Sequence, residues 1–165
     1  MKVAVISDIH NEEEKLLAAL KAAEKAGCTV LCCAGDIDEV STLHLLGRMW
    51  SGPLHLVFGN NEYDLAEHRA VAKLYPQICH HEFCGIFSLG NRRAAMAHYQ
   101  MRAERAAELD PEVTVLFYGH THRADRSQKD GLLLVNPGEI CGFYYKHPSF
   151  AVYDTEAHEV EFIRL

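Results

Sequence analysis

Seven oxygen and imidazole donors are spread along this chain: Asp8 and His10 in Asp8-Ile9-His10, Asp36 after Gly35, Asn60 after Gly59, His98, and His120 and His122 in Gly119-His120-Thr121-His122. Carboxylates, an amide carbonyl and imidazoles together suit divalent ions such as Mn, Fe, Zn or Ni. Seven donors are too many for one tetrahedral site and about right for two neighbouring ions that share a carboxylate. Paired metals roughly 3.5–4 Å apart are common machinery for cleaving phosphate esters.

The elements that must position these donors are legible around them. Lys2 to Ser7 reads as a buried, β-branched strand that leads into Asp8. Thr29 to Ala34 leads to Asp36, Leu54 to Phe58 to Asn60, and Val113 to Tyr118 to His120. In open α/β sheets ligands bind beyond the carboxyl ends of strands, so four strands delivering donors to one edge points to a site. Gly35, Gly59 and Gly119 each precede a donor, which lets the backbone turn sharply beside an ion. Asp8 and His10, like His120 and His122, are two residues apart and on an extended chain would point the same way.

Between these strands run helical patterns: Asn11 to Ala26, closed by Gly27; Ser41 to Trp50, with Ser41 as its expected cap; and Leu65 to Leu74. This alternation implies parallel strands with crossover helices. The second half is richer in strands. Glu82 to Ser88 and Arg92 to Ala97 are joined at Gly90-Asn91, and a short helix spans Ala103 to Leu109. Arg123 to Gln128 and Leu132 to Val135 form a hairpin turning at Lys129-Asp130-Gly131, and Phe150 to Asp154 pairs with Val160 to Arg164. The expected fold class is α/β: two mixed β-sheets packed as a sandwich flanked by helices, in one domain covering residues 1–165.

With 48% apolar residues in 165, the chain can bury a real core. The net charge of -7 argues against broad nucleic-acid binding, which needs a positive field. It leaves room for a phosphate substrate, because bound cations invert the local charge. The six cysteines form no C-x-x-C pair, and Cys28, Cys32 and Cys33 read as buried thiols. The N-terminal residues open into a strand pattern without a signal sequence, and no apolar run nears the roughly 20 residues that span a bilayer. A soluble protein of the reducing cytoplasm is therefore expected, and the sequence is compatible with a homo-oligomer.

The ordered set D-x-H, G-D, G-N, a lone His and G-H-T-H resembles the calcineurin-like metallophosphoesterase superfamily, and the short length resembles its small single-domain phosphodiesterase branch. The match extends to Asn136-Pro137-Gly138 after the hairpin. The resemblance implies a four-layer sandwich and two divalent ions, manganese first, with iron, nickel or zinc as alternatives. It implies that Asp8, His10, Asp36 and His122 hold one ion and that Asp36, Asn60, His98 and His120 hold the other. Asp36 and a water or hydroxide would bridge the pair. Such ions acidify a bridging water and stabilise an in-line transition state, so Asp36, Asn60 and His98 count as catalytic and no cysteine needs a role. The implied activity is hydrolysis of small phosphodiesters, and of some monoesters.

Two departures stand out. Many relatives carry a histidine after the Gly-Asn pair as general acid, whereas this chain reads Gly59-Asn60-Asn61-Glu62. Asn61 cannot donate a proton in that way, which favours substrates with good leaving groups; small relatives often lack that histidine too. His98 is followed by Tyr99 where a glycine is common. Asn61, Glu62, Asp38 and Arg123 are candidates for supporting the ligands or meeting substrate. Asp38 either hydrogen-bonds a ligand or caps the next helix, and Arg123 either grips a phosphate or is a plain surface arginine. His80 and His81 read as surface histidines, and Trp50 and Phe143-Tyr144-Tyr145 as core or interface, with a substrate-pocket role as the alternative for the Phe-Tyr-Tyr run. The rival functions are a non-catalytic assembly scaffold, as in a cargo-sorting coat subunit of the same fold, and, less favoured by the charge, a nuclease on long nucleic acid.

Overall fold

The computed structural model describes residues 1–165. Its first half alternates strand and helix: β1 (Lys2–Ile6), α1 (Glu13–Lys25), β2 (Val30–Cys33), α2 (Val40–Met49), β3 (Leu54–Leu56), α3 (Leu65–Lys73) and β4 (Ile78–His80). β1 to β4 pair in parallel, as short apolar strands joined by crossover helices must. The second half supplies β5 (Cys84–Leu89), β6 (Arg92–Ala97), α4 (Gln100–Ala107), β7 (Val113–Phe117), β8 (Ala124–Lys129), β9 (Leu132–Pro137), β10 (Ser149–Asp154) and β11 (Glu159–Arg164).

Two mixed sheets result. One runs β11-β10-β1-β2-β3-β4, the other β5-β6-β7-β9-β8. Alternation along the strands assigns their faces. Val3, Val5, Cys32, Val57, Met96, Phe117, Val135 and Tyr153 fill the space between the sheets. Ala4, Ile6, Leu31, Cys33 and Leu56 face outward and are covered by the apolar sides of α1, α2 and α3, including Leu16, Leu20, Leu43 and Leu46. On the far side Ala103 and Ala107 of α4 pack on Ala95, Ala97 and Leu116. The order is helix, sheet, sheet, helix, the expected four layers. No helix is long and apolar enough to cross a membrane.

Most predicted elements are present within a few residues. The β8–β9 hairpin turns at Asp130 and Gly131, with φ of 52° and 83°, the signature of a type I′ turn. Three expectations need correction. β4 has no counterpart in the sequence reading; it is a three-residue edge strand whose Ile-Cys-His run shows no period. Ser41 lies inside α2, whose N-cap is Glu39 with no side-chain cap bond; Asn11 Oδ1 accepts the Glu39 N–H at 2.9 Å and ties this end of the helix to the β1–α1 loop. His80 and His81 are half-buried rather than surface residues: His80 packs on Phe58, and His81 stacks with His55 and Phe87. Cys28, Cys32, Cys33 and Trp50 are buried as expected.

Candidate metal centre

The donors sit on loops that leave the strand ends, and backbone bonds lace these loops together. Asp8 N–H donates to Gly35 O at 3.0 Å, and the N–H groups of Ile9 and His10 donate to Asp36 O at 2.8 and 3.1 Å. The buried Glu62 carboxylate accepts from Ile37 N–H and Gly59 N–H, 2.7 Å each, clamping the β2–α2 loop to the β3–α3 loop. On the side of the second sheet Gly119 N–H donates to His98 O and Asn136 Nδ2 to Gly119 O at 2.7 Å, and Cys141 N–H to Asp8 O and His120 N–H to Asp8 Oδ2 tie that side to the first.

Five of the seven candidate donors occupy the left-handed region: Asp8, His10, Asp36, His120 and His122 have φ between 47° and 66°. Asp and His tolerate this region better than most residues, yet such strain costs on the order of 1–3 kcal/mol each and persists only where surroundings enforce it. This corrects the extended-chain reasoning for the two i, i+2 pairs. Asp8 and His10 converge because the chain curls between them. The tight approach also explains two glycines: a Cβ on Gly59 would collide with Asp36 Oδ1, and one on Gly119 with Ser7 Oγ.

Three histidines are fixed in the same way. The Nδ1–H of His10 donates to Asp38 at 3.1 Å, that of His98 to Ala34 O at 2.8 Å, and that of His122 to Glu139 at 2.8 Å. Each bond sets the tautomer and leaves the Nε2 lone pair free, which is how metal-ligating histidines are held. The free nitrogens meet carboxylates. Nε2 of His98 lies 3.3 Å and that of His10 3.7 Å from Asp36 Oδ2, while Nε2 of His122 lies 3.4 Å from Asp8 Oδ1. Asp8 Oδ1, His10 Nε2 and His98 Nε2 are buried and have no hydrogen-bond partner. Unsatisfied buried polar atoms are rare, and three aimed at one centre fit a cation as their missing partner.

His120 and Asn60 complete the ring at the mouth. His120 packs against Tyr99 and His98, with ring centroids 4.4 and 5.2 Å away, and its N–H donates to Asp8 Oδ2. Asn60 Oδ1 accepts the Tyr99 hydroxyl at 2.9 Å, so the unexpected Tyr99 orients a candidate donor. Asp36, Asn60, His10, His120 and His122 line a cleft of about 280 Å³, with Asp8 and His98 buried beside it.

The electrostatics follow from this arrangement. Burial raises the Asp36 carboxyl, but His98 and the Asn61 hydrogen bonds outweigh it and pull the group well below the ordinary carboxylate range. Burial wins at Asp8, which is raised despite His98 and His122. At His98 burial lowers the ring, but Asp36 and Asp8 more than compensate and the net direction is up. Burial lowers His120. Two carboxylates and several imidazoles so close are an uncomfortable set on their own and a natural set around divalent charge.

The remaining candidates fall into distinct places. Asp38 orients His10 rather than capping α2, and Glu62 is the loop clamp just described. Asn61 leans on Asp36, its Nδ2 donating at 2.7 Å. Arg123 lies outside the metal pocket, in an adjoining cleft. Phe143, Tyr144 and Tyr145 are exposed, not core; Tyr144 and Tyr145 rim the pocket, and Tyr144 packs on His122 at 4.4 Å. Sequence reasoning missed Glu139, which is fully buried and bonded to His122, Tyr144 N–H and Tyr145 N–H. An acid inside the otherwise apolar or small run Leu132 to Cys141 was the available signal. Cys141 Sγ lies 3.8 Å from His122 Nδ1, the nitrogen that Glu139 already occupies, and its thiol, which burial pushes up to about 12, donates to Glu139 Oε2 at 3.3 Å; with His10 and His122 it forms a second donor group beside the one made by Asp8, His10 and Asp36.

This chain is similar to known proteins over nearly its whole length. It is 23% identical over 162 residues to phosphodiesterase MJ0936 of Methanocaldococcus jannaschii, covering 96% of each chain. A solved archaeal phosphodiesterase superposes with a TM-score of 0.89 at 21% identity, covering 100% of both chains. Vps29 of Entamoeba histolytica, solved with zinc, gives a TM-score of 0.68 at 18% identity over 100% of this chain and 98% of that one. The phosphoesterase Yfce of E. coli gives 0.67 at 17% identity, covering 99% and 98%. The family model of the calcineurin-like phosphoesterase superfamily domain matches residues 1–158, the span that carries all seven donors and every strand but β11, and the chain belongs to that superfamily.

Proposed function

We propose that the chain, taken as one domain over residues 1–165, is a dimetal phosphoesterase that hydrolyses small phosphodiesters. The observation that carries this is the convergence of three unpartnered buried donors, Asp8 Oδ1, His10 Nε2 and His98 Nε2, on the two central carboxylates. One ion would be held by Asp8, His10, Asp36 and His122, the other by Asp36, Asn60, His98 and His120. Asp36 is suited to the shared position because its Oδ2 faces both His10 and His98. Family membership and the likeness to phosphodiesterases support the reaction class. Manganese is the first expectation for a set of carboxylate, amide and imidazole donors, with iron, nickel or zinc as alternatives.

When bound, such a pair of cations acidifies water and offsets charge on phosphate oxygens. The chain contributes the rest. Asp38, Ala34 and Glu139 keep the three histidines in the tautomer that presents Nε2. Asn60 and His120 stand at the mouth, where a phosphate enters. No group at position 61 can protonate a departing alkoxide, so esters with good leaving groups are favoured. The decisive experiment is turnover of bis(p-nitrophenyl) phosphate by Mn-loaded protein and by Asp36→Asn. Metal-dependent hydrolysis is expected, falling by about 10²–10³-fold or more in the variant, which loses the shared charge. Metal-bound protein that turns over neither diesters nor monoesters refutes the enzymatic reading.

A scaffold is the second reading. It is favoured by the outer face of α4, where the exposed Met101 and Leu109 border a cleft of about 460 Å³ with Tyr99 and Ala106. A protein that fails to take up Mn, with these two side chains essential for association, would establish it.

A further inference from the structure

Next to the metal pocket, the edge strands β8 and β11 leave a second cleft of about 300 Å³ between the two sheets. Its lining includes His122, Arg123, Tyr145, His147, Phe162 and Arg164, and no carboxylate. That composition runs against the chain, which has 23 acidic residues to 16 lysines and arginines. Three separate segments bring the basic side chains together. Arg123 directly follows His122, His147 sits on the loop that Glu139 anchors, and Arg164 lies opposite Ser149 in the β10–β11 register. Elsewhere Arg69, Arg92 and Arg93 spend their guanidinium groups on Glu82, Thr155 O and Asp110, while those of Arg48, Arg102, Arg105 and Arg126 are free of hydrogen bonds and ion pairs but stand apart from this cleft. The guanidinium groups of Arg123 and Arg164 make no hydrogen bond and no ion pair, and so remain available. A guanidinium fork matches phosphate geometry, and two of them around a hollow are suited to a dianion.

The two clefts share a wall, because His122 and Tyr145 line both. A molecule whose scissile phosphate lies between the candidate donors therefore reaches the cationic cleft by passing His122. We propose that this cleft is a subsite for a second phosphate, and that the preferred substrates are small phosphodiesters that bear a further phosphate group. This rests on the phosphoesterase reading for the position of the first phosphate. Such a cleft would let a small acidic protein recognise multiply charged esters without a basic surface, since the positive charge is confined to one place.

The test separates binding from turnover. Calorimetry on Mn-loaded protein compares thymidine 3′,5′-bisphosphate with thymidine 5′-monophosphate. The bisphosphate is expected to bind about tenfold more tightly, as befits charge-assisted hydrogen bonds to one further phosphate. Arg164→Gln and Arg123→Gln should each remove most of that difference while weakening the monophosphate far less, and added salt should shrink it. Equal affinities in the wild type, a difference insensitive to both variants, or equal weakening of both ligands would each overturn the subsite. A second arm measures hydrolysis of the p-nitrophenyl ester of thymidine 5′-phosphate with and without a 3′-phosphate. A higher kcat/KM for the 3′-phosphorylated ester supports the proposal, and no discrimination refutes it. Absence of turnover on either ester, with the binding difference and its loss in the variants intact, overturns the hydrolytic reading and leaves the subsite standing.

Discussion

Replacing Glu139 by glutamine tests the centre through a residue that touches no ion. Glu139 Oε1 accepts the N–H of Tyr145 at 2.7 Å and of Tyr144 at 3.1 Å, and Oε2 accepts His122 Nδ1–H at 2.8 Å. Burial raises this carboxyl, but the bonds from Tyr145, Tyr144, His122 and Cys141 prevail and hold it below its ordinary range. A glutamine has one acceptor where the carboxylate has two. If the amide oxygen keeps the two backbone bonds, its NH2 faces His122 Nδ1. The ring must then become an acceptor there, which moves its proton to Nε2 and blocks the lone pair that faces Asp8 at 3.4 Å. If the amide flips, two backbone donors meet an NH2 group instead, at a cost of about 1–3 kcal/mol for each one left unsatisfied. Either route weakens one ion and spares the other. The expected loss is the 10–100-fold typical of partners that orient a metal-bound histidine, or about 1.4–2.7 kcal/mol. Calorimetric Mn titration of the wild type, Glu139→Gln and His122→Ala reads this directly. Two binding events are expected, with the same one weakened in both variants. An unchanged affinity in a folded Glu139→Gln protein would show that the tautomer of His122 is immaterial, and with it the proposed ligand role.

Other consequences are equally measurable. Saturating Mn at about 100 times its dissociation constant should stabilise the protein by about 2.7 kcal/mol per ion, raising Tm by roughly 5–11 °C for a chain of this size, and EDTA should reverse it; a Tm indifferent to Mn and chelator contradicts the metal centre. Asn61→His should raise kcat on unactivated alkyl phosphates severalfold with little gain on nitrophenyl esters; identical rates on both would dismiss the missing-acid account. Away from the centre, burial, and secondarily His81, lowers the His55 ring to about 4, and His55 lies 2.9 Å from His81 and stacks on Phe87 at 3.8 Å. The unfolded chain takes up this proton from pH about 6.5 and the native state only near 4, so stability is full above 6.5 and declines by up to about 3 kcal/mol as pH falls through that window. Urea midpoints between pH 7 and 4.5 should fall less steeply for His55→Phe than for the wild type, and parallel slopes would refute the assignment.

The legible part of the sequence was the part where two signals coincide. Asp8, Asp36, Asn60 and His120 each follow an apolar, β-branched run, so one reading gives both a strand and the donor at its end. His98 departs from the family pattern in being followed by Tyr99 where a glycine is common, yet it is 1% exposed and lies 3.3 Å from Asp36. β4 escaped because three residues at a sheet edge, one of them the exposed Cys79, are too few to show a period. Glu139 escaped, and Asp38 and Glu62 remained candidates with more than one reading, for another reason. Each bonds a group brought near only by the fold, such as Glu139 to His122, and spacing along the chain carries no trace of that. The aromatic run at 143–145 misled because side chains that rim a polar cleft have the composition of a core.

The strain and the unsatisfied atoms have a common origin. Five residues in left-handed backbone and two carboxylates buried side by side all lower the stability of the metal-free chain, and no apolar contact requires them. A sequence selected for stability alone would place glycine or asparagine at those φ values and apolar groups behind them. Asp8 and Asp36 instead stand where the backbone is held by Gly35 O, Gly119 and the Glu62 clamp. Removing divalent charge should therefore loosen this end of the sandwich selectively. Amide exchange at Asp8–Asn11, Gly35–Asp38 and Asn60–Glu62 should quicken on chelation, while β6, β7 and β9 keep their protection. Uniform quickening would mean that divalent ions stabilise the whole fold rather than the loops proposed to hold them.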